Sequence, residues 1–261
     1  MSSIRPAAVA GLFYPDDPRQ LKDMVMQMIN KAQTQDFDAK AIIAPHAGYI
    51  YSGPIAASAY KAIENKRKQI KRVVLIGPSH RVAFSGIAVS SASEFATPLG
   101  NITLDSKAVA QLIQFPQVQT LDRAHEQEHS LEVHLPFLQL ILDDFKLVPL
   151  VVGDTQAHEV AEVINALWDD EATFIIISSD LSHYHDYATA QRIDKQTSNA
   201  IATLNPDPIG FEQACGRNPL NGFLQVAKEK GLKAEILDQR NSGDTSGDKS
   251  RVVGYGAYVF H

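Results

Sequence analysis

The 261-residue chain has a single cysteine, Cys215. One thiol can neither close an internal disulfide nor build a multi-cysteine zinc site, which fits a reducing compartment and leaves any metal to lean mainly on histidine and carboxylate. Long apolar runs are also missing. None reaches the roughly 18 residues that a membrane span needs, and the opening stretch MSSIRPAAVAGLFYPDD lacks the basic and apolar regions of a secretory signal. Together these absences predict a soluble, cytoplasmic protein with no membrane partner. Positive charge is scarce as well: 24 Lys and Arg stand against 30 Asp and Glu, for a net charge of −6 and a pI near 5.8. That balance argues against a broad basic face and excludes nucleic acid as the expected partner. The one basic cluster, Lys66-Arg67-Lys68 with Lys71-Arg72, reads as a solvated helix end.

What the chain does have is apolar material, 44% of its residues, enough to bury a sizeable core. Four largely β-branched runs end in turn or polar residues: KAIIAPH (40–46), KRVVLIGPSH (71–80), FKLVPLVVGD (145–154) and TFIIISSDLSH (173–183). They read as buried strands. Apolar residues at three- and four-residue spacing predict helices near 55–69, 105–114, 130–143, 156–168, 187–204 and 218–230. Strand-helix alternation predicts an α/β fold with a mostly parallel or mixed central sheet and helices on both faces. Further strands are expected at 86–90, 233–238 and 251–260. No repeat interrupts the chain, and NSGDTSGDKS (241–250) reads as a loop too short to separate domains. A single domain over 1–261 is expected.

In open α/β sheets ligands bind beyond the carboxyl ends of the strands, where loops vary without disturbing the core. Three of the four long runs deliver histidine there. His46 closes AIIAPH, His80 closes VVLIGPSH, and Asp180 with His183 closes FIIISSDLSH. Any one of these histidines read alone is more simply a cap or a core residue, but the three together point to one polar site. A second cluster lies in AHEQEHSLEVHLPF (124–137), where His125, His129 and His134 alternate with Glu126, Glu128 and Glu132. HEQEH formally fits HExxH, two imidazoles one helical turn apart with a glutamate base, yet it falls where a loop becomes a helix. Ser130 as a cap and Glu132 beside the helix dipole explain much of it without chemistry. Glu128, His129 and His134 could still line the strand-end site, and His134 sits in an apolar helical pattern that suits a packed core residue.

Several longer motifs carry a resemblance. RPAAVAGLFYP (5–15), APHAGYIYSG (44–53), GPSH (77–80), EHSLEVHLPF (128–137), SSDLSHY (178–184), ACGRNP (214–219) and SGDTSGD (242–248) resemble, in the same order along nearly the whole chain, the Memo family, whose microbial members are called AmmeMemoRadiSam system protein B. The resemblance implies a fold similar to class III extradiol dioxygenases, which open catechol rings with iron held by two histidines and a carboxylate. By motif, it implies His46 and His80 as metal ligands, Asp180 and His183 as a further active-site pair, and Asp244, or Asp248 four residues on, as the third ligand. Cys215 within ACGRNP reads as a packed or weakly exposed thiol.

The implied cofactor is Fe(II), with copper or zinc as alternatives, because two imidazoles and a carboxylate suit iron with open positions. On that reading Asp180 orients an imidazole and His183 exchanges a proton near neutrality. Tyr49, Tyr51 and Ser79 are candidates to hydrogen-bond ligands or substrate. The expected function is a dioxygenase-like or other metal-dependent oxidoreductase. A non-catalytic protein holding a peptide or an anion in the same pocket, and a zinc-dependent hydrolase, are the alternatives. The family name associates such chains with a radical-SAM protein and an Amme-type domain protein as partners, with a small molecule or peptide as ligand.

Overall fold

The computed structural model describes residues 3–168 and 172–261. Along the chain run β1 (Ile4–Arg5), α1 (Pro18–Lys31), β2 (Ala41–Ala44), α2 (Tyr49–Lys61), β3 (Arg72–Pro78), β4 (Ile87–Val89), β5 (Glu94–Thr97), β6 (Gly100–Thr103), α3 (Ser106–Leu112), β7 (Val118–Thr120), α4 (Asp122–Glu126), α5 (His129–Glu132) and α6 (Leu135–Ile141). There follow β8 (Lys146–Val152), α7 (Ala157–Leu167), β9 (Thr173–Ser178), β10 (His183–His185), α8 (Tyr187–Ala202), α9 (Arg217–Glu229), β11 (Ala234–Asn241), α10 (Ser242–Thr245) and β12 (Val252–Phe260).

The four apolar runs become β2, β9, β3 and β8, which lie side by side in that order and all run parallel. β12 extends the sheet antiparallel to β2, and β4 extends it antiparallel to β8, so the sheet is mixed at its flanks. Alternation of side chains along each strand supplies two cores. Ile42, Val73, Leu75 and Ile176 face one layer with α1, α2 and α6, while Ile43, Val74, Ile76 and Ile177 face the other with α7 and α9. Each such fully buried aliphatic side chain contributes roughly 1.5–3 kcal/mol. A small second sheet, β1-β5-β6, stands apart from the large one.

Topology sets the position of the site. From β9 the chain leaves toward the β12 side, whereas from β3 it leaves toward β8. Neighbouring strands whose connections diverge leave a crevice at their carboxyl ends, where ligands bind in open α/β sheets. The crevice here opens above β9 and β3.

Some boundaries differ from those the sequence suggests. α2 begins at Tyr49 and continues through Pro54, and it ends by Lys61 rather than 69. The basic cluster instead begins with a short 3₁₀ turn, Glu64–Lys66, with Lys66 paired to Asp38 and Arg67 to Asp143. The helix expected over 130–143 is two, α5 and α6, because Pro136 lacks an N–H and opens a new helix. α1 was not anticipated, although Asp17 accepts hydrogen bonds from the Arg19 and Gln20 amides and Pro18 sits at N1, a standard start signal. The 241–250 segment is a loop apart from Asn241, which ends β11, and the single turn of α10.

Candidate metal centre

Register brings the first residues together. β2 pairs in parallel with β9 so that Ala44 lies opposite Ser178, and the segments just beyond both strands run side by side. The His46 amide donates to Asp180 Oδ1 at 2.7 Å, and His46 Nδ1 lies 2.6 Å from Ser178 Oγ. On the other side of β9, β3 ends at Pro78 and carries His80 just beyond it. His80 is held by Glu128, which takes the His80 amide at 2.5 Å on one carboxylate oxygen and His80 Nδ1 at 2.9 Å on the other. Glu128 also caps α5 by accepting from the Ser130 amide at 2.9 Å. α5 can approach β3 this closely because residue 77 is glycine; a Cβ there would come 2.9 Å from Leu131 and 3.0 Å from Ser130 Oγ.

These hydrogen bonds fix which ring nitrogens carry protons. The Ser178 hydroxyl has one hydrogen and gives it to the Ser130 carbonyl at 2.6 Å. His46 Nδ1 at 2.6 Å and His134 Nε2 at 2.9 Å therefore both donate to Ser178 Oγ, and His134 Nδ1 accepts from the Tyr60 hydroxyl at 2.8 Å. Burial lowers the pKa of both histidines, that of His134 to about 3 and that of His46 well below its ordinary value with help from the neighbouring imidazoles, so both are neutral. His46 Nε2 is left with a free lone pair. His80 is oriented by another route. Glu128 is buried, but hydrogen bonds and the facing His80 hold its pKa at about 2, so its carboxylate accepts from His80 Nδ1 and leaves Nε2 as the ring nitrogen not engaged by Glu128. A second group orienting a metal-binding imidazole through its other nitrogen is a recurrent feature of metal sites.

The lone pair of His46 faces Cys215, whose Sγ lies 3.3 Å from Nε2. Cys215 arrives on the segment before α9, and Gly216 brings it in. A Cβ at 216 would meet the Ser178 carbonyl and the Ser179 side chain at 2.7 Å, and the Gly216 amide donates to Ser179 Oγ at 3.0 Å. One donor atom each from His46, His80 and Cys215 lies within 4.8 Å of the others. Typical metal–nitrogen and metal–sulfur bonds of about 2.0 and 2.3 Å put the two donors of a tetrahedral ion about 3.5 Å apart. The observed 3.3 Å between Cys215 Sγ and His46 Nε2 fits such an edge. Burial, with Asp180 beside it, pushes the Cys215 thiol well up, so without an ion the thiol keeps its proton and donates it to His46 Nε2. His80, Glu128 and His129 form a second such group, sharing His80. There Glu128 is already committed to His80 and Ser130, and the His80 and His129 rings stack at 4.6 Å, 25° from parallel. Two nearly parallel rings direct their in-plane lone pairs poorly at one ion, so the His46–His80–Cys215 group is the better-formed site.

Two acid–base groups adjoin it. Asp180 is 4% exposed, and burial raises its pKa to about 7 against the pull of the His46 amide. Its Oδ2 lies 3.9 Å from His46 Nε2. His183 donates from Nδ1 to the Leu181 carbonyl at 2.8 Å, which leaves its Nε2 unprotonated, and burial lowers its pKa.

Of the residues singled out from the sequence, His46, His80, Asp180 and His183 meet at one end of the sheet. Asp244 and Asp248 belong to neither donor group among the described residues. Asp244 is exposed, with one oxygen on the Tyr187 hydroxyl at 2.5 Å and the other on the Asn241 amide at 2.9 Å as part of the α10 cap. Asp248 accepts from the Ser250 amide and hydroxyl. HEQEH is not one helix: His125 lies in α4, His129 starts α5, and His125 Nε2 bonds the Ala88 carbonyl. Cys215 and Ser178 were not picked out as functional, although both lie in motifs quoted above. Glu132 proves to be a structural hub rather than a simple helix-dipole residue. It pairs with Arg5 at 2.5 Å, takes the Val9 amide at 2.9 Å and the Tyr14 hydroxyl at 2.6 Å, and so ties the N-terminal segment to α5.

Residues 5–259 match the family model described as Memo-like protein. Similar relatives include a MEMO1 family protein of Aquifex aeolicus, 36% identical over 268 residues that cover 98% of this chain and 99% of the relative. One from Saccharolobus solfataricus is 36% identical over 287 residues, and one from Nitrosopumilus maritimus is 33% identical over 276, each at 98% of this chain and 99% of the relative.

Proposed function

The chain belongs to the Memo family, and from that premise and the donor geometry we propose that it is a metal-binding protein whose mononuclear centre is His46, His80 and Cys215. The observation that carries this reading is the free lone pair of His46 Nε2, fixed by Ser178 and aimed at Cys215 Sγ 3.3 Å away. Replacing the expected carboxylate by a thiolate softens the donor set, which then suits copper or iron(II) and accommodates zinc. A redox-active ion held there would supply electron transfer to or from a bound substrate, and the family reading is accordingly an oxidoreductase.

The chain's own residues have defined tasks in this proposal. Glu128 and Ser178 hold the two imidazoles in the tautomers that present Nε2. Asp180, titrating near neutrality, accepts or releases a proton at Oδ2 beside His46. His183 Nε2 serves as a base from the start of β10, its orientation set by the Leu181 carbonyl.

Anaerobic reconstitution with Fe(II), Cu(I) and Zn(II), followed by elemental analysis, tests the centre. One ion per chain is expected in the wild type and none in the His46→Ala/His80→Ala double variant. Stoichiometric retention by that variant, folded, refutes the site. Oxygen consumption by the loaded protein across candidate substrates then separates an oxidoreductase from a protein that only binds.

A further inference from the structure

Cys215 faces two ways. Toward β2 it meets His46; on its other side it lines a cavity of about 710 Å³ between the carboxyl ends of β3 and β8 and the start of α9. That volume lies within the roughly 300–1,000 Å³ of small-molecule pockets. Much of the wall is apolar, with Val82, Phe84, Phe211 and Pro219, and the cavity reaches the rim of the metal centre at Ser79 and Cys215. It therefore has room for a molecule with one end at the centre.

Arg217 lines the same cavity. Its guanidinium lies flat on the Phe211 ring, 3.4 Å from the centroid, so the group is held in one plane. Its Nε is shut off from solvent and has no acceptor, and Arg217 makes no ion pair among the described residues. By contrast, the buried carboxylates of Glu128 and Glu132 are paired, with His80 and Arg5. An unpaired guanidinium held against a ring at the cavity wall presents the fork that binds an oxyanion through two parallel hydrogen bonds. The Asp154 carboxylate also lines the cavity but is exposed and more than an ion-pair distance from Arg217, so it leaves the guanidinium unneutralised.

We propose that this cavity binds the substrate of the Memo centre, a small molecule with an apolar body and a terminal oxyanion, carboxylate or phosphate, that Arg217 receives while the body reaches toward Cys215. The oxyanion would pair with the Arg217 guanidinium where it lines the cavity. Val82, Phe84 and Pro219 would shield the body from water, and Phe211, itself 71% exposed, would keep the guanidinium in place at the mouth. The assignment of an oxyanion pocket stands on the cavity and Arg217 alone. Only the word substrate rests on the metal reading above.

The test uses metal-free and cobalt-loaded full-length protein with three probes, inorganic phosphate, phenyl phosphate and benzoate, followed by calorimetry and by the NMR signal of the Arg217 Nε–H. Saturable binding of at least one probe to metal-free protein is expected, with phenyl phosphate or benzoate tighter than inorganic phosphate because of the apolar wall, and with the Nε–H signal of Arg217 perturbed. Arg217→Gln should weaken that binding about tenfold to a hundredfold, the usual loss for a charge-assisted pair, and Arg217→Lys should restore part of it. Equal affinity in wild type and Arg217→Gln, or no saturable binding of any probe, overturns the proposal. Benzoate binding without phosphate binding would identify a carboxylate pocket, and the reverse a phosphate pocket. In cobalt-loaded protein the bound probe should perturb the visible spectrum in wild type but not in Arg217→Gln. If metal-free binding persists while the protein takes up no cobalt, the metal reading fails and the oxyanion pocket stands.

Discussion

Cys215 Sγ and His46 Nε2 lie 3.3 Å apart although 169 residues separate them in the chain. The pairing depends on two backbone approaches, β2 against β9 and Gly216 against the end of β9, so the donor set is a product of the whole sheet. A thiolate in that set has a spectroscopic signature. Cobalt- or copper-loaded protein should show a near-ultraviolet sulfur-to-metal charge-transfer band that vanishes in Cys215→Ser, whereas Asp244→Asn should leave it intact. Gly216→Ala should weaken it along with metal affinity, because the added methyl group must displace the Ser178 carbonyl or Ser179. A band that survives in Cys215→Ser would remove the thiolate from the centre.

Ser178 holds three partners with one hydroxyl: it donates to Ser130 and accepts from His46 and His134. Ser178→Ala leaves two N–H groups and one carbonyl buried without partners. Each orphaned group costs about 1–3 kcal/mol unless water enters, so the metal-free variant should lose at least about 2 kcal/mol in urea denaturation. With the His46 tautomer no longer imposed, metal affinity should fall about 10- to 100-fold. Unchanged metal affinity in a destabilised variant would reduce Ser178 to a packing role.

The strand-end histidines could be read from the sequence because a buried parallel strand is a continuous apolar run, and its end marks where a ligand edge begins. His46 and His80 thus announced the edge. What no local pattern carries is the partner each side chain finds across the sheet. Cys215 follows no strand, and its role depends on Gly216 packing against β9, a contact 37 residues distant. Asp244 is expected as a ligand from the SGDTSGD motif; one of its oxygens caps α10 at the Asn241 amide and the other accepts from Tyr187, 57 residues away, a contact no local pattern carries. HEQEH, in contrast, could be set aside from the sequence as a place where loop becomes helix, and the chain does break helix at Gln127 and Glu128.

Arg5 and Glu132 form an ion pair with both side chains nearly inaccessible, at 6% and 0% exposure. Glu132 additionally satisfies the Ala8 and Val9 amides and the Tyr14 hydroxyl, so the carboxylate organises the segment that lies under α5. Removing one member of such a pair strands the other charge, which costs about 3–5 kcal/mol. Glu132→Gln should lower unfolding free energy by that order, and Arg5→Met/Glu132→Gln should lose less than the sum of the single variants. Additive losses in the double-mutant cycle would show that the pair is not coupled.

Asp194 gives a prediction with a definite sign. It sits in α8, 2% exposed, accepts from the Ser182 amide at 3.0 Å, and lies tight against the β12 backbone at Gly254. Burial raises its pKa from 3.8 to about 6, despite the opposing pull of the Ser182 amide. The folded state therefore holds this proton more tightly than the unfolded state. Between the two values, folded chains bind more protons than unfolded ones, so the contribution of Asp194 is greatest below pH 4, falls as pH rises to about 6, and is flat above. A rise from 3.8 to about 6 corresponds to up to roughly 3 kcal/mol. Asp194→Asn keeps an acceptor for Ser182 and cannot ionise. Measured against wild type by urea denaturation, the variant should be relatively more stable at neutral pH than at pH near 4. A wild-type-to-variant difference that is constant across this range would place the Asp194 proton elsewhere.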